Sequence, residues 1–281
     1  MSRHRNRSRQ HDVVLWGATG FTGRLVAEYL TERLTETGLR LALGGRNREK
    51  LEALRARLSG RWPAASDLPL VVADSRDQAA LETIAASSEV VCTTVGPYAK
   101  YGRELVAACV ETTTDYCDLT GEVPFIRDMI DRHHERARST GARIVHCCGF
   151  DSIPSDLGTL MLHDSMTGDA GATVDRVTLV LGATSGGFSG GTVASLVNVV
   201  EEAASDRSVR RIVADPYALN PEGERHGPDG PDLAGPRWDS ELGRWTGPFI
   251  MAAINTRVVR RSNALLGWRY GRDFRYAEVT G

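Results

Sequence analysis

The sequence predicts an α/β fold: a doubly wound parallel sheet over its first half, followed by a smaller α+β region. Short apolar runs alternate with segments of helical periodicity between residues 12 and 147. That order requires parallel strands joined by crossovers. The runs are apolar almost throughout instead of alternating, the pattern of strands covered on both faces. In addition, a glycine triplet follows the first run and opens the first helical segment.

The elements follow in chain order. The run 12–16 ends in glycines and reads as a buried strand. Leu25, Val26, Tyr29, Leu30 and Leu34 then recur at helical spacing over 21–36, and Gly38 supplies a stop. Further strands are predicted at 39–43, 68–73, 89–95, 115–119 and 142–147, with helices at 48–58, 78–86, 102–111 and 125–139. Past Gly149 glycine and proline become frequent, above all over 216–248. Strands are expected at 174–181 and 249–259, a helix at 192–204 and a long surface loop at 220–236. Residues 273–279 alternate as a last strand. The predicted organisation is a flexible basic tail at 1–11, a dinucleotide-binding domain at 12–150 and an α+β substrate or dimerisation region at 151–281.

Composition removes several classes of function. A net charge of -2 over 281 residues gives no global field for nucleic acid or an anionic membrane. No apolar run reaches the length of a membrane span, and the basic start lacks the apolar core of a secretory signal. The five cysteines, Cys92, Cys109, Cys117, Cys147 and Cys148, show no CxxC spacing. They predict neither a disulfide framework nor a metal site, and fit buried thiols in a reducing cytoplasm.

The chemistry begins at Gly17, Ala18, Thr19, Gly20, Phe21, Thr22 and Gly23. A glycine triplet alone is a weak signal; one set between a strand and a helix is the Rossmann fingerprint. Gly17 permits the tight turn, Gly20 lets backbone approach a pyrophosphate, and Gly23 allows close helix–sheet packing. Backbone N–H groups at the helix start then hold the phosphates. The end of the second strand selects the cofactor. An acid there would bind ribose hydroxyls, but the chain reads Gly44, Gly45, Arg46, Asn47, Arg48. Arg46 is placed to pair bidentately with a 2′-phosphate, with Arg48 in support, so NADPH is expected. Asp74, after the third strand, is a candidate for the adenine edge or a helix cap. Thr94, Gly96 and Pro97 end the fourth strand, where close backbone approach to ribose or nicotinamide is expected.

A nicotinamide enzyme often needs one proton donor from the protein. Tyr98 and Tyr101, with Lys100 between them, follow the fourth strand; Tyr116 and Asp118 end the fifth; Asp151 and Ser152 follow the sixth. Position alone singles out none, and Tyr98, Tyr116 and Asp118 are the leading candidates.

Several blocks in order resemble the saccharopine dehydrogenase-like oxidoreductases, and within them the mycobacterial trans-acting enoyl reductases. They run from Val13 to Gly23, Thr93 to Gly102, Asp115 to Glu122, Gly149 to Asp156, Ser189 to Ala194 and Asn255 to Ala264. The resemblance implies NADP(H) on the N-terminal domain. It also implies reduction of an enoyl bond on a lipid-like or carrier-bound acyl chain, delivered by a polyketide synthase in lipid synthesis. Such a substrate calls for an apolar groove near 96–101 and is compatible with peripheral contact at a membrane; homo-oligomerisation is left open. The wider family name points to an alternative, an imine or amino-acid reductase with a charged cleft. A third reading is an NADPH-binding protein without catalysis. Chains of this family continue past the position of Gly281, so the resemblance also implies a sequence short at its C-terminal side.

Overall fold

A computed structural model describes residues 8–170, 173–182 and 190–281 of the chain. Residues 1–7 of the expected tail and Ser189 of the 189–194 block lie outside the described residues.

The first half alternates strand and helix: β1 (His11–Trp16), α1 (Phe21–Glu32), α2 (Leu34–Thr37), β2 (Leu41–Gly45), α3 (Arg48–Ser59), β3 (Leu70–Val72), α4 (Gln78–Ala86), β4 (Ser88–Thr93), α5 (Tyr98–Tyr101), α6 (Arg103–Glu111), β5 (Asp115–Cys117), α7 (Val123–Thr140) and β6 (Ile144–Val145). A 3-10 turn spans Pro63–Ala65. The strands form one six-stranded sheet in the order β3-β2-β1-β4-β5-β6, and every neighbouring pair is parallel. The order reverses between β1 and β4. Ligands of open α/β sheets bind outside the carboxyl ends of the strands at such a switch point.

Leu15, Ala27, Leu41, Leu43, Leu51, Leu54 and Leu58 interlock between the sheet and its helices. The local signals are visible in the helix ends. Asn47 caps α3 by accepting from the Lys50 amide at 2.8 Å, and Asp77 caps α4 through the Ala80 amide at 3.1 Å. Gly38, at φ 62°, ends the short helix α2. The single helix expected over 21–36 breaks at Arg33 into α1 and α2, and that expected at 102–111 is preceded by the separate turn α5.

The tail is shorter than expected. Arg9 donates to the Ser88 carbonyl and, at 2.8 Å, to the Thr112 carbonyl, and His11 already belongs to β1. The guanidinium bonds carbonyls at the start of β4 and in the turn before β5, so order reaches upstream of the apolar run.

The second half contains α8 (Ile153–Ala170), β7 (Arg176–Leu181), α9 (Gly190–Ser205), α10 (Arg207–Ala214), β8 (Arg237–Asp239), β9 (Arg244–Pro248), α11 (Ala252–Leu265) and β10 (Arg275–Thr280). Its sheet runs β7-β10-β9-β8, parallel between β7 and β10 and antiparallel elsewhere. Val174, Val259, Tyr270, Phe274 and Tyr276 make its apolar core. By contacts the chain forms two compact units, and the division does not follow a single cut: Gly121–Asp128 joins the second unit, while Met129–His146 stays with the first.

The strand expected at 249–259 is instead the helix α11. Its buried positions, Ala252, Asn255, Thr256, Val259, Arg260 and Asn263, recur every three or four residues. The polar ones find partners: Asn255 Nδ2 donates to the Asp151 carbonyl at 2.8 Å and Asn263 Nδ2 to the Gly271 carbonyl at 2.9 Å. No regular element separates Ala214 from Arg237. Residues 221–236 are half-buried or exposed, in keeping with the expected surface loop, and burial is confined to its upstream edge at Tyr217, Leu219 and Asn220.

One acid in this unit gives a pH-dependent prediction. Glu278 is buried and accepts from Tyr276 Oη at 2.8 Å and from Asn255 Nδ2 at 3.0 Å. Burial raises its pKa above the ordinary carboxylate value, against the opposing hydrogen bonds. The folded state thus binds this proton more tightly than the unfolded one. Its contribution is complete below the unfolded pKa and is lost as pH rises through the folded value. Glu278→Gln is therefore expected to raise the melting temperature at neutral pH, with the gain vanishing toward mildly acidic pH. Paired thermal melts check this, and a lower melting temperature for the variant at neutral pH would refute it.

Candidate functional site

Gly17 leaves β1 at φ 86°, and a Cβ there would stand 2.6 Å from Val95 Cγ2 and 2.9 Å from Thr94 Oγ1. Gly17 O accepts from the Gly20 amide at 3.0 Å and from Thr94 Oγ1 at 3.2 Å. Gly20 precedes α1 without a side-chain cap; a Cβ on it would meet only Gly17 O, at 3.3 Å. A Cβ on Gly23 would fall 2.1 Å from Gly17 O. Gly17 and Gly23 are thus closed to side chains by packing, and Gly20 faces outward at an uncapped helix start. This is the arrangement a pyrophosphate needs. Ala18 is buried, and its amide donates to the Gly44 carbonyl at 3.0 Å. Thr22 is half-buried and Phe21 exposed.

β2 runs beside β1, with Trp16 opposite Gly44. A Cβ on Gly44 would lie 2.7 Å from the Trp16 ring. Arg46 follows, exposed. Arg48 approaches Glu52 at 3.9 Å. A cleft of about 400 Å³ next to the glycine loop is lined by Thr19, Arg24, Lys50, Ala53, Leu54 and Arg57. Arg57 is paired with Glu28 at 2.8 Å. Among the described residues no carboxylate neutralises Arg24, Arg46 or Lys50, so this end of the loop carries unbalanced positive charge. Arg24 and Lys50 were missed in the sequence; their signal was a cation one residue past the last glycine and another in the first turn of α3.

Asp74 is exposed after β3, and its Oδ1 accepts from the Arg76 amide at 2.9 Å. The cap role falls to Asp77. At the end of β4 the Thr94 amide donates to the Trp16 carbonyl at 3.0 Å, and the Gly96–Pro97 peptide is cis.

Tyr98 is buried, with its hydroxyl 3.4 Å from the Thr93 carbonyl. Tyr116 is also buried, and its hydroxyl donates to Asp118 Oδ2 at 2.9 Å. Burial first, and then the Asp118 charge, push the Tyr116 hydroxyl well above its ordinary pKa, which keeps it a donor. Asp118 Oδ1 accepts from the Thr120 amide at 3.1 Å. His146, one residue past β6, lies with Nδ1 2.7 Å from Asp118 Oδ2. Its ring meets that of Tyr116 edge-on at 5.8 Å. The structure therefore unites Tyr116 and Asp118 and adds His146, which the sequence did not single out. Tyr101 packs beneath Arg76, 5.8 Å from the ring centre, and Lys100 is exposed. In the second unit, Ser152 Oγ donates to Asn255 Oδ1 at 2.8 Å, a packing role. Among the described residues no group of three or more His, Cys, Asp or Glu side chains is arranged to hold a metal. Nor is any helix there long and apolar enough to cross a membrane.

A parallel sheet with its switch point at β1 and β4, a closed glycine turn and unpaired cations beyond β2 define a dinucleotide-binding domain of NADP type. Residues 13–145 match the family described as Saccharopine dehydrogenase NADP binding domain. The chain is 47% identical over 278 residues to the trans-acting enoyl reductase of Mycobacterium leprae, and 47% identical over 286 residues to that of Mycobacterium tuberculosis. Each alignment covers 96% of this chain and 65% of the relative; the chain thus spans about two-thirds of their length. Among solved structures, apo saccharopine dehydrogenase (L-Glu forming) from Saccharomyces cerevisiae aligns with a TM-score of 0.46 at 18% identity, over 61% of this chain and 34% of that one.

Proposed function

We propose that this chain is the cofactor-binding part of an NADPH-dependent reductase acting on an enoyl bond of a carrier-bound, polyketide-type acyl chain. The observation that carries the cofactor assignment is the unpaired cationic end of the glycine loop. The choice of an enoyl bond rests on the relatives named trans-acting enoyl reductase. In this reading Gly17, Ala18, Thr19, Gly20, Phe21, Thr22 and Gly23 hold the pyrophosphate, and Arg46 holds the 2′-phosphate with Arg24 and Lys50 beside it. Asp74 borders the adenine, and Thr94, Gly96 and Pro97 border the ribose and nicotinamide. When bound, NADPH supplies a hydride. The chain's own residues orient it, and Tyr98, Tyr116 and Asp118 shape the carboxyl edge as positioning groups. The second unit serves substrate or subunit contacts. The partner is a polyketide synthase, met in the cytoplasm or at the membrane periphery.

Titrating the protein and Arg46→Ala with NADPH and NADH tests the cofactor assignment. Charge-assisted hydrogen bonds contribute about 1.5–3 kcal/mol, and each 1.4 kcal/mol is about tenfold in affinity. The variant should lose roughly 10- to 100-fold in NADPH affinity, with NADH binding unchanged. Equal affinity of the unaltered protein for both cofactors would refute the assignment. Consumption of NADPH with enoyl thioesters, and not with imines, would support the enoyl reading.

A further inference from the structure

We propose that Arg57 is a specificity-determining residue of the cofactor site, a further phosphate-binding cation that Glu28 holds back until a 2′-phosphate arrives. The inference rests on the NADPH reading above. It adds to that reading a pair of side chains from α1 and α3, outside the glycine loop and outside the residues that directly follow β2.

The pair belongs to one groove. Arg24 and Glu28 are four residues apart on α1 and so share a face, one turn apart. Lys50, Ala53, Leu54 and Arg57 recur at i, i+3, i+4 and i+7 along α3 and share a face in the same way. The two faces look onto each other. Thr19, Arg24, Lys50, Ala53, Leu54 and Arg57 line the cleft of about 400 Å³. From α3, Arg57 donates to Glu28 Oε1 on α1 at 2.8 Å. Among the described residues, Glu28 is the carboxylate that an ion pair ties to this groove.

The charges do not balance within the groove. Arg24, Lys50 and Arg57 set three cations against the one carboxylate of Glu28. A phosphate monoester carries a charge of about −1.5 to −2 at neutral pH, which matches that excess; the 2′-hydroxyl of NADH supplies none of it. The Arg57–Glu28 pair is also easy to displace. Its side chains keep 52% and 38% of their surface, and exposed ion pairs contribute little because water screens them and two long side chains must be ordered. A dianionic phosphate, accepting charge-assisted hydrogen bonds, competes well with one such carboxylate for the guanidinium. Helical side chains tilt toward the N-terminus of their helix, so an Arg57 released by Glu28 tilts toward Lys50 and the glycine loop. Glu28 therefore weakens phosphate binding in two ways: it occupies Arg57, and it repels the anion. A bridge that only fastened α1 to α3 would not distinguish the two cofactors.

The test uses the full chain, titrated with NADPH, with NADH and with 2′,5′-ADP, which carries the phosphate without nicotinamide. Glu28→Gln is expected to raise affinity for NADPH and 2′,5′-ADP by roughly three- to tenfold, the scale of one unit charge acting over several ångströms in water. Affinity for NADH should stay within about twofold. Arg57→Gln should lower affinity for NADPH and 2′,5′-ADP by a similar factor. The second readout is the NMR signal of the Arg57 side-chain Nε, assigned by its loss in Arg57→Gln. It should shift with 2′,5′-ADP and stay in place with 5′-AMP, and it decides the matter alone if Glu28→Gln fails to fold. A protein that prefers NADPH, yet whose Glu28→Gln variant keeps the same NADPH-to-NADH ratio, overturns the role of Arg57 and leaves the cofactor reading standing. So does an Arg57 signal that responds equally to 2′,5′-ADP and 5′-AMP. If the unaltered protein does not distinguish NADPH from NADH, the cofactor reading falls, and the role of Arg57 falls with it.

Discussion

Gly23→Ala is expected to unfold or severely loosen the N-terminal unit and to abolish NADPH binding. The added methyl would sit 2.1 Å from Gly17 O, 2.9 Å from Gly17 C and 3.0 Å from Ala18 C. All three are backbone atoms, and none is the free end of a flexible side chain. Gly17 O cannot retreat cheaply, because it accepts from the Gly20 amide at 3.0 Å and from Thr94 Oγ1 at 3.2 Å. Relief therefore requires α1 to move off β1. Overpacking of this kind costs about 1–3 kcal/mol where neighbours can yield, and more where they cannot; a loss of about 3 kcal/mol or more is expected here. Gly158→Ala is the control: Gly158 is an exposed position within α8 where a Cβ meets nothing within 4 Å. Alanine there should be neutral or stabilise by about 0.5–1 kcal/mol. Urea unfolding of the two variants beside the parent measures both, and a Gly23→Ala protein as stable as its parent would contradict the packing described.

The second large effect concerns the Arg260–Asp229 pair of the C-terminal unit. Arg260 Nε contacts Asp229 Oδ2 at 2.7 Å with both side chains nearly buried. The remaining guanidinium nitrogens donate to the Pro216 carbonyl at 2.8 Å and the Tyr276 carbonyl at 3.1 Å. The cation also stands 5.2 Å from the Tyr217 ring centre. Asp229→Ala would leave this cation buried without its counter-charge. Removing one partner of a buried pair costs about 3–5 kcal/mol, and the loss should appear in denaturant unfolding of this unit. Replacing both partners with apolar residues, Arg260→Met with Asp229→Leu, should recover much of it, since desolvation of the two charges is then avoided. A single variant within about 0.5 kcal/mol of the parent would show that water reaches the pair.

The parallel sheet was legible because each buried strand is a continuous apolar run bounded by turn residues. Gly17, Gly20 and Gly23 were legible because the loop's geometry is dictated by residues adjacent in sequence. The position of Arg46, directly after a strand, was readable for the same reason. What escaped detection depends on partners far along the chain. His146 meets Asp118 across 28 residues of sequence, through the register of two very short strands. Arg9 looked like part of a solvated arm, yet its partners lie as many as 105 residues away. The helix α11 was mistaken for a strand because its buried face includes Asn255, Arg257 and Arg260, polar residues that periodicity arguments place in water. Their burial is intelligible only with Asp229, Asp232 and Glu278 in place. In α8, Pro154 and Gly158 masked an 18-residue helix.

The strand made first, β1, ends in the middle of the sheet, so the N-terminal unit grows outward from it in two directions. β2 and β3 extend one flank, and β4, β5 and β6 the other. The seam between β1 and β4 joins a half built from near neighbours to a half that arrives about seventy residues later in the chain. The glycine turn and Arg46 belong to the early half; Thr94, Gly96, Tyr116, Asp118 and His146 belong to the late one. In the cofactor reading proposed above, a dinucleotide laid across the switch point spans the seam like a rivet. Its grip on both flanks reports whether the two halves have closed in register.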